Sequence, residues 1–474
     1  MEHYANSVED HLIDGLKYKL EPGASYVQSR RQVTWYPSGS AIYSPTSGTR
    51  LIRVNINSTG EWLDPQSVRF SFKLNNTDGS HSHLLRTICE PFAFFTRLRC
   101  LIGNVVAEDI VDYGRTHSLF QTLTSSNNRR NDEIEGFGHR WTDIVPPITA
   151  DNTYGIGGGK SKRVTFKLLS GLFSQWKYIP LQFCPIVLEL ELDQDQYANI
   201  VQPDGNIFTT DNTSTSFTID DVVVHGDVVT LDNSLNNSYI EALMSGTALS
   251  VPFTTFVSQS HIMSQTQQFN VNIIRSFTRL KTMFISFYAP VPDKTIASTE
   301  DEKRLLGYRD YKFNQRGGVN IAGSGDTTIS AVLRPCNRFY HPMGIDTLDP
   351  YSSSAELQWQ ISIGSLTFPV YPCRSTAETF YRLKQSLGIL PSSFHALDIS
   401  YVQYKDTHFI IGVDLEKVTD AAWTGLNTKA GDLVSVKTTW DPSIATNSLP
   451  FKMYVVMTAD YLLEIRDSGC QIFD

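Results

Sequence analysis

Phosphate chemistry would be sought first at Gly155-Ile156-Gly157-Gly158-Gly159-Lys160-Ser161. A phosphate-binding loop needs four residues between its framing glycines and a helix N-terminus after them, so that backbone N–H groups converge on the anion. Gly155 to Gly159 leaves three, Tyr154 stands where the first glycine belongs, and Arg163-Val164-Thr165-Phe166 reads as a strand. The segment is expected to be a loop tip. His81 and His83 could start a metal site, but no third ligand is indicated. Trp35, Tyr36 and Trp62 could form a sugar platform; aromatic side chains more commonly fill cores or interfaces. Glu189 and Glu191 could be a glycosidase pair, which needs a cleft and one raised pKa. Their alternation with Leu188, Leu190 and Leu192 instead puts both on one solvated sheet face. No HExxH, GxSxG or EF-hand pattern occurs. The expectation is no enzyme, with no catalytic, cofactor-binding or metal-binding residues and no cofactor.

The remaining nucleophiles are six cysteines, Cys89, Cys100, Cys184, Cys336, Cys373 and Cys470, none in a CxxC pair. Several lie in apolar runs and read as buried free thiols, suited to a reducing compartment. With 40 Lys and Arg against 49 Asp and Glu, the net charge is −9 and no basic tail is visible. Nucleic-acid wrapping rests on cations that neutralise phosphates, so direct sequence-specific nucleic-acid binding is not expected. Four glycosylation-type sequons begin at Asn57, Asn75, Asn212 and Asn236 and read as chance without a secretory leader. No run approaches the roughly 20 apolar residues of a spanning helix. A soluble protein made inside a cell is expected.

The elements that must position these residues are mostly short strands. Residues 1–24 are the exception. Val8, Leu12, Leu16 and Leu20 recur every four positions, Ser7 can cap the turn and Pro22-Gly23 ends it, which predicts an amphipathic N-terminal arm. Beyond it, runs such as Leu51–Asn57, Val68–Leu74, Val164–Leu169 and Ile186–Leu192 are separated by Gly, Pro, Asn and Asp, the pattern of sandwiches or barrels.

The chain also resembles itself. The run at Val54 is answered at Val271, 217 residues on, and Val68–Phe72 is answered by Met283–Phe287. Ile102-Gly103-Asn104, followed by Tyr113, Arg115, Phe120 and Leu123, is answered by Ile363-Gly364-Ser365, then Tyr371, Arg374, Phe380 and Leu383, at an offset near 260. Phe217–Ile219 with Val222–Val224 matches Phe451–Met453 with Val455–Met457 at 233–235. The order is common and the offset changes only where one copy has a longer loop. Two homologous units are predicted, 25–246 and 247–474, joined at a short helix near Tyr239–Met244. Each has about eight strands and one helix, which is the jelly roll. The fold class is all-β, two tandem eight-stranded sandwiches.

The end of the first unit, Gly226-Asp227-Val228-Val229-Thr230-Leu231-Asp232-Asn233-Ser234 with Asn237–Glu241, and the C-terminal Asp460–Gly469 carry a resemblance. With the tandem architecture, the whole resembles the double jelly-roll major capsid proteins of virophages, polinton-like viruses and adintoviruses, from about residue 25 onward. The resemblance implies a homotrimer of six similar sandwiches that tiles an icosahedral shell beside neighbouring capsomers, penton and minor capsid proteins. It implies a virion location after synthesis in the host cytoplasm or nucleus, and leaves contact with an inner membrane open. The loops about 124–162 and 290–352 become candidates for outer towers, and Val8, Leu12, Leu16 and Leu20 for inter-capsomer contacts. The alternatives are a minor or vertex capsid component and, in another class, a carbohydrate-binding β-sandwich protein.

Overall fold

The computed structural model describes residues 27–124, 132–137, 155–194, 199–200, 213–263, 268–288, 308–312, 328–332, 339, 341–342, 357–390, 397–416, 424–429, 433–440 and 452–474, save 47, 88 and 407. The N-terminal arm with Val8, Leu12, Leu16 and Leu20 lies outside the described residues.

The first strands are β1 (Val27–Trp35), β2 (Leu51–Ile56), β3 (Trp62–Asn76), β4 (Phe95–Ile102), β5 (Val105–Val111), β6 (Ser161–Phe166), β7 (Ile186–Leu192) and β8 (Phe217–Leu231). The second series is β9 (Leu249–Ile262), β10 (Gln268–Ile273), β11 (Leu280–Tyr288), β12 (Leu357–Ile363), β13 (Leu366–Cys373), β14 (Ile410–Asp414), β15 (Val434–Trp440) and β16 (Lys452–Arg466). A final strand, β17 (Gly469–Phe473), pairs with the end of β16.

Within the first series the sheet orders are β1-β8-β3-β6 and β2-β7-β4-β5; the second has β9-β16-β11-β14 and β10-β15-β12-β13. Each strand therefore has its counterpart eight labels later, which is the predicted pair of jelly rolls. Strict alternation builds the inner faces. In β2 only Ile52, Val54 and Ile56 are buried, and in β7 Ile186, Leu188, Leu190 and Leu192. Val54 faces Leu188, which faces Cys100; Val271 faces Val436, which faces Ile361. The offset of 217 at Val54 and Val271 thus survives as register.

The β4–β5 and β12–β13 hairpins also correspond. Gly103 and Asn104 are both left-handed (φ 53° and 69°), while in the second copy Gly364 (φ 57°) takes that conformation. Three helices follow the plan. The helices α1 (Tyr113–Thr122) and α3 (Thr376–Ser386) come directly after β5 and β13, and α2 (Asn233–Met244) joins the two series. Asp232 caps α2 by accepting from the Ser234 N–H at 3.0 Å, so the joining helix starts six residues before Tyr239.

One expected match shifts. Ile361 faces Phe368 and Trp359 faces Cys373, while Cys100 faces Glu108 and Leu98 faces Ile110. Four residues separate Phe368 from Cys373, against one between Glu108 and Ile110. That three-residue extension puts Thr376 opposite Tyr113 and Thr379 opposite Thr116. Tyr371 is not the counterpart of Tyr113; it lies on β13, in the extension. Of the two long loops, Ile156–Gly157 and β6 are strands, and Tyr308–Lys312 pairs with Thr328–Val332 as a hairpin. Much of the rest of 124–162 and 290–352 lies outside the described residues.

Most buried apolar residues of both sandwiches form one continuous cluster, and Trp62, Val229 and Leu231 form a smaller one. In the first sandwich the continuous cluster is rich in aromatic rings. Phe70, Phe72, Phe95 and Phe166 pack with centroids 5.6–6.5 Å apart, most of them edge to face.

Candidate assembly interface

The residues singled out for chemistry do not form one site, although His81 meets the Gly155–Ser161 turn. Gly155–Ser161 forms a tight turn closed by the Lys160 N–H on the Gly157 carbonyl at 2.9 Å, where a Cβ on Gly158 would collide with the Ser80 carbonyl. His81 Nδ1 lies 3.1 Å from the Gly158 carbonyl and ties this turn to the Asp78–His83 segment, within which His83 Nδ1 lies 3.0 Å from Asp78 Oδ2. Trp35 and Trp62 are buried and donate to the Asn57 carbonyl (3.1 Å) and Asn236 Oδ1 (3.2 Å); Tyr36 is exposed. Glu189 meets Arg99 at 3.3 Å and Arg53 at 3.7 Å on the outer sheet face. Five cysteines are buried and outside any disulfide, and Cys336 lies outside the described residues. Among the described residues, no group of three or more His, Cys, Asp or Glu could hold a metal ion, and no helix is long and apolar enough to cross a membrane.

The concentrated polar chemistry lies instead where the two sandwiches meet. The edge strand β5 pairs with β4 on one side, and β9 of the second sandwich covers it from the other. An open edge strand invites unwanted pairing, and this cover removes it. Ser258 on β9 donates to the Val111 carbonyl at the end of β5. Tyr454 on β16 donates to the Asp112 carbonyl at 3.3 Å, and its oxygen lies 2.6 Å from Thr116 Oγ1 on α1. Phe120 packs edge-on against Phe256 and Phe284, at 5.0 and 5.3 Å. Lys177 reaches the Ser250 carbonyl at 2.7 Å.

Glu108 on β5 is the anchor. Its carboxylate accepts from the Gly171 N–H (2.8 Å), the Leu172 N–H (3.3 Å) and the Ser170 hydroxyl, and it interacts with the Thr255 hydroxyl of β9. Burial pushes its pKa up, and these four donors offset only part of that rise. A Cβ on Gly171 would collide with the Thr254 carbonyl, so glycine lets the Ser170–Phe173 turn press on β9. Sequence reasoning missed Glu108, because Glu108-Asp109 on a strand reads as a wet face. The break it makes in the apolar alternation was the available signal.

Among the described residues, the strands equivalent to these two are exposed. From Val251 to Ser258 no residue of β9 is exposed, yet residues 27–32 of β1 are all exposed. On β5 the contact residues Ala107, Glu108 and Ile110 are buried; on β13, Val370 is 74% and Tyr371 82% exposed. Phe368, opposite Ile361, occupies the position of Glu108, so the anchoring carboxylate is absent from the second copy. Polar groups dominate β1. Arg31 grips Glu61 with two bonds of 2.7 Å, and Arg30 bridges Asp64 (2.6 Å) and Asp227 (2.8 Å). Such exposed pairs add little stability, but they hold the strand's outer face in a fixed pattern of charge.

No family model matches the sequence, and no curated protein is significantly similar to it. Solved structures are similar in fold over nearly the whole chain. A subunit of the PBCV-1 virus capsid superposes with a TM-score of 0.59 at 12% identity, covering 97% of this chain and 100% of that one. The Sputnik virophage structure gives 0.55 at 9%, covering 96% and 90%. The Faustovirus major capsid protein gives 0.51 at 8%, covering 96% and 94%. At these identities the likeness establishes the double jelly-roll fold.

Proposed function

We propose that the chain is a viral major capsid protein whose copies close head to tail into trimers that tile an icosahedral shell. The observation that carries this reading is the unequal cover of equivalent surfaces. The β5/α1 side of the first sandwich docks on β9 of the second. Among the described residues, the equivalent strand β13 and the equivalent strand β1 are both exposed. A head-to-tail contact of this kind repeats from copy to copy until the ring closes. In a closed trimer, β13 of each copy covers β1 of the next, and six similar sandwiches alternate around the ring.

In this reading 25–246 and 247–474 are the two building blocks, and 1–24 is an arm that reaches adjoining capsomers through Val8, Leu12, Leu16 and Leu20. Neighbouring trimers, penton proteins and minor capsid proteins are the partners of the tile's outer rim. The chain resides in the virion after synthesis in the host cell and carries out no catalysis. The similarity in fold to capsid subunits of PBCV-1 and Faustovirus supports this role.

Native mass spectrometry with negative-stain microscopy tests the proposal. The expected species contains three 53.3 kDa chains and is hexagonal in projection. A monomer that binds or hydrolyses glycans overturns it. Few copies per purified particle would point to a minor or vertex component. Deleting residues 1–20 should leave trimers intact and reduce shell assembly.

A further inference from the structure

The contact between the sandwiches brings together two thiols that are far apart in sequence. Cys184 precedes Pro185, whose carbonyl accepts from the Gly103 N–H at 3.0 Å. Cys470 lies on β17 and leans on the same turn, where a Cβ placed on Gly103 would sit 2.8 Å from the Cys470 sulfur. Gly103 is thus required twice, for its left-handed φ of 53° and for this close approach. The two cysteine side chains interact directly across the boundary between the sandwiches. Cys184 is fully buried, with its sulfur 2.9 Å from the Pro180 carbonyl, while Cys470 is 6% exposed on the last strand of the chain.

We propose that Cys184 and Cys470 are an oxidisable dithiol, and that a peroxide converts it to a disulfide locking the second sandwich onto the first. The site is independent of the capsid reading, since both residues belong to one chain. Cys470 is the attacking group because it is the more exposed of the two, whereas Cys184 is fully buried and burial pushes its thiol pKa up. The Cys470 thiolate attacks one peroxide oxygen, the O–O bond breaks, and Cys470 becomes a sulfenic acid as hydroxide leaves. The Cys184 sulfur then attacks the Cys470 sulfur. The S–S bond forms, the sulfenic oxygen departs as water with the Cys184 proton, and the net change is two thiols and one hydrogen peroxide to one disulfide and two waters. The ring so closed is long, the case in which a crosslink restricts the unfolded chain most.

The purified full chain would be treated with hydrogen peroxide, alkylated after denaturation and mapped by mass spectrometry without reduction. The expected result is loss of two thiols per chain, a joined peptide containing Cys184 and Cys470, and recovery of both thiols in dithiothreitol. The thermal midpoint of the oxidised chain should rise by on the order of 5 °C, and this rise should be absent in Cys470→Ser and Cys184→Ala. Oxidation of Cys470 to a sulfinic or sulfonic acid with Cys184 still free, joining of either residue to another cysteine, or retention of all six thiols overturns the proposal. The wild-type peptide map decides the matter even if Cys184→Ala fails to fold.

Discussion

The two sandwiches share strand order and register, yet the same edge is finished in two ways. In the first sandwich, β5 carries Glu108, buried and surrounded by four donors, and β9 closes over it. In the second, Phe368 takes that place, three further residues extend the strand, and Val370 and Tyr371 are exposed among the described residues. A permanent contact within one chain can hold a buried carboxylate, because its donors fold beside it at every instant. On the proposed assembly surface, such a carboxylate would have to shed its hydration each time a partner docks. That surface presents a compact aromatic and aliphatic bulge instead, the residue types that dominate binding energy at interfaces.

Breaking this comparison at its open end should have the largest effect. Each anchor residue lost from an interface costs about 2 kcal/mol or more, so Tyr371→Asp with Val370→Asp should weaken self-association by about a hundredfold or more. Sedimentation would show monomers at concentrations where the parent is assembled. The thermal midpoint of the variant monomer should match that of the parent dissociated by dilution, since both residues are exposed.

At the closed end, Glu108→Ala removes the acceptor from the Ser170 hydroxyl and two backbone N–H groups. Leaving these buried donors unsatisfied should cost about 3 kcal/mol, read by urea unfolding. The pH dependence sharpens the assignment. Glu108 has a folded pKa above its ordinary 4.5, so between those two values the folded chain binds the extra proton. Stability from this group is therefore greatest below 4.5 and falls as pH rises through the folded value. Glu108→Gln should remove that fall and leave the rest of the profile in place.

Each sandwich also buries a histidine against a phenylalanine: His117 stacks on Phe92 at 3.8 Å, and His341 meets Phe409 edge-on at 4.3 Å. Burial lowers both to about 3 from 6.5. Unfolding lets them take up protons, so their contribution to stability is full above 6.5 and is lost as pH falls toward 3. His117→Gln should give a shallower loss of thermal midpoint between pH 6.5 and 4 than the parent. An unchanged slope would exclude His117 as a source of acid sensitivity.

The smallest expected effects come from an equivalent pair of threonines. Thr116 bonds to Tyr454 across the boundary at 2.6 Å, and Thr379 accepts from the Trp359 indole within its own sandwich at 3.0 Å. Replacement by Val should cost about 1 kcal/mol at each. Hydrogen exchange should separate them: Thr116→Val should loosen β16 relative to α1, and Thr379→Val should act only around β12 and α3.

These contrasts mark what the sequence could disclose. Alternation in β2 and β7 fixes which face is inward, so Val54 and Val271 could be paired from spacing alone. The helix correspondence slipped by three residues because β13, whose one pairing partner among the described residues is β12, tolerates an extension that composition does not mark. The first turn of α2 is Asn- and Ser-rich, with only the Asp232 cap to announce it. Glu108 stayed hidden because its donors come from the distant Ser170–Leu172 turn and from β9 of the second sandwich, and charge on a strand is otherwise a sign of solvent. The open surfaces β1 and β13 were invisible for the converse reason: their significance lies in what covers β9 and β5.

The most direct test is a high-resolution image of the assembled protein that identifies what covers β13. The account predicts β1 of a neighbouring copy, repeated three times around a ring of six sandwiches. An assembly in which β13 meets β13 across a two-fold axis, or in which Val370 and Tyr371 remain in solvent, would contradict it.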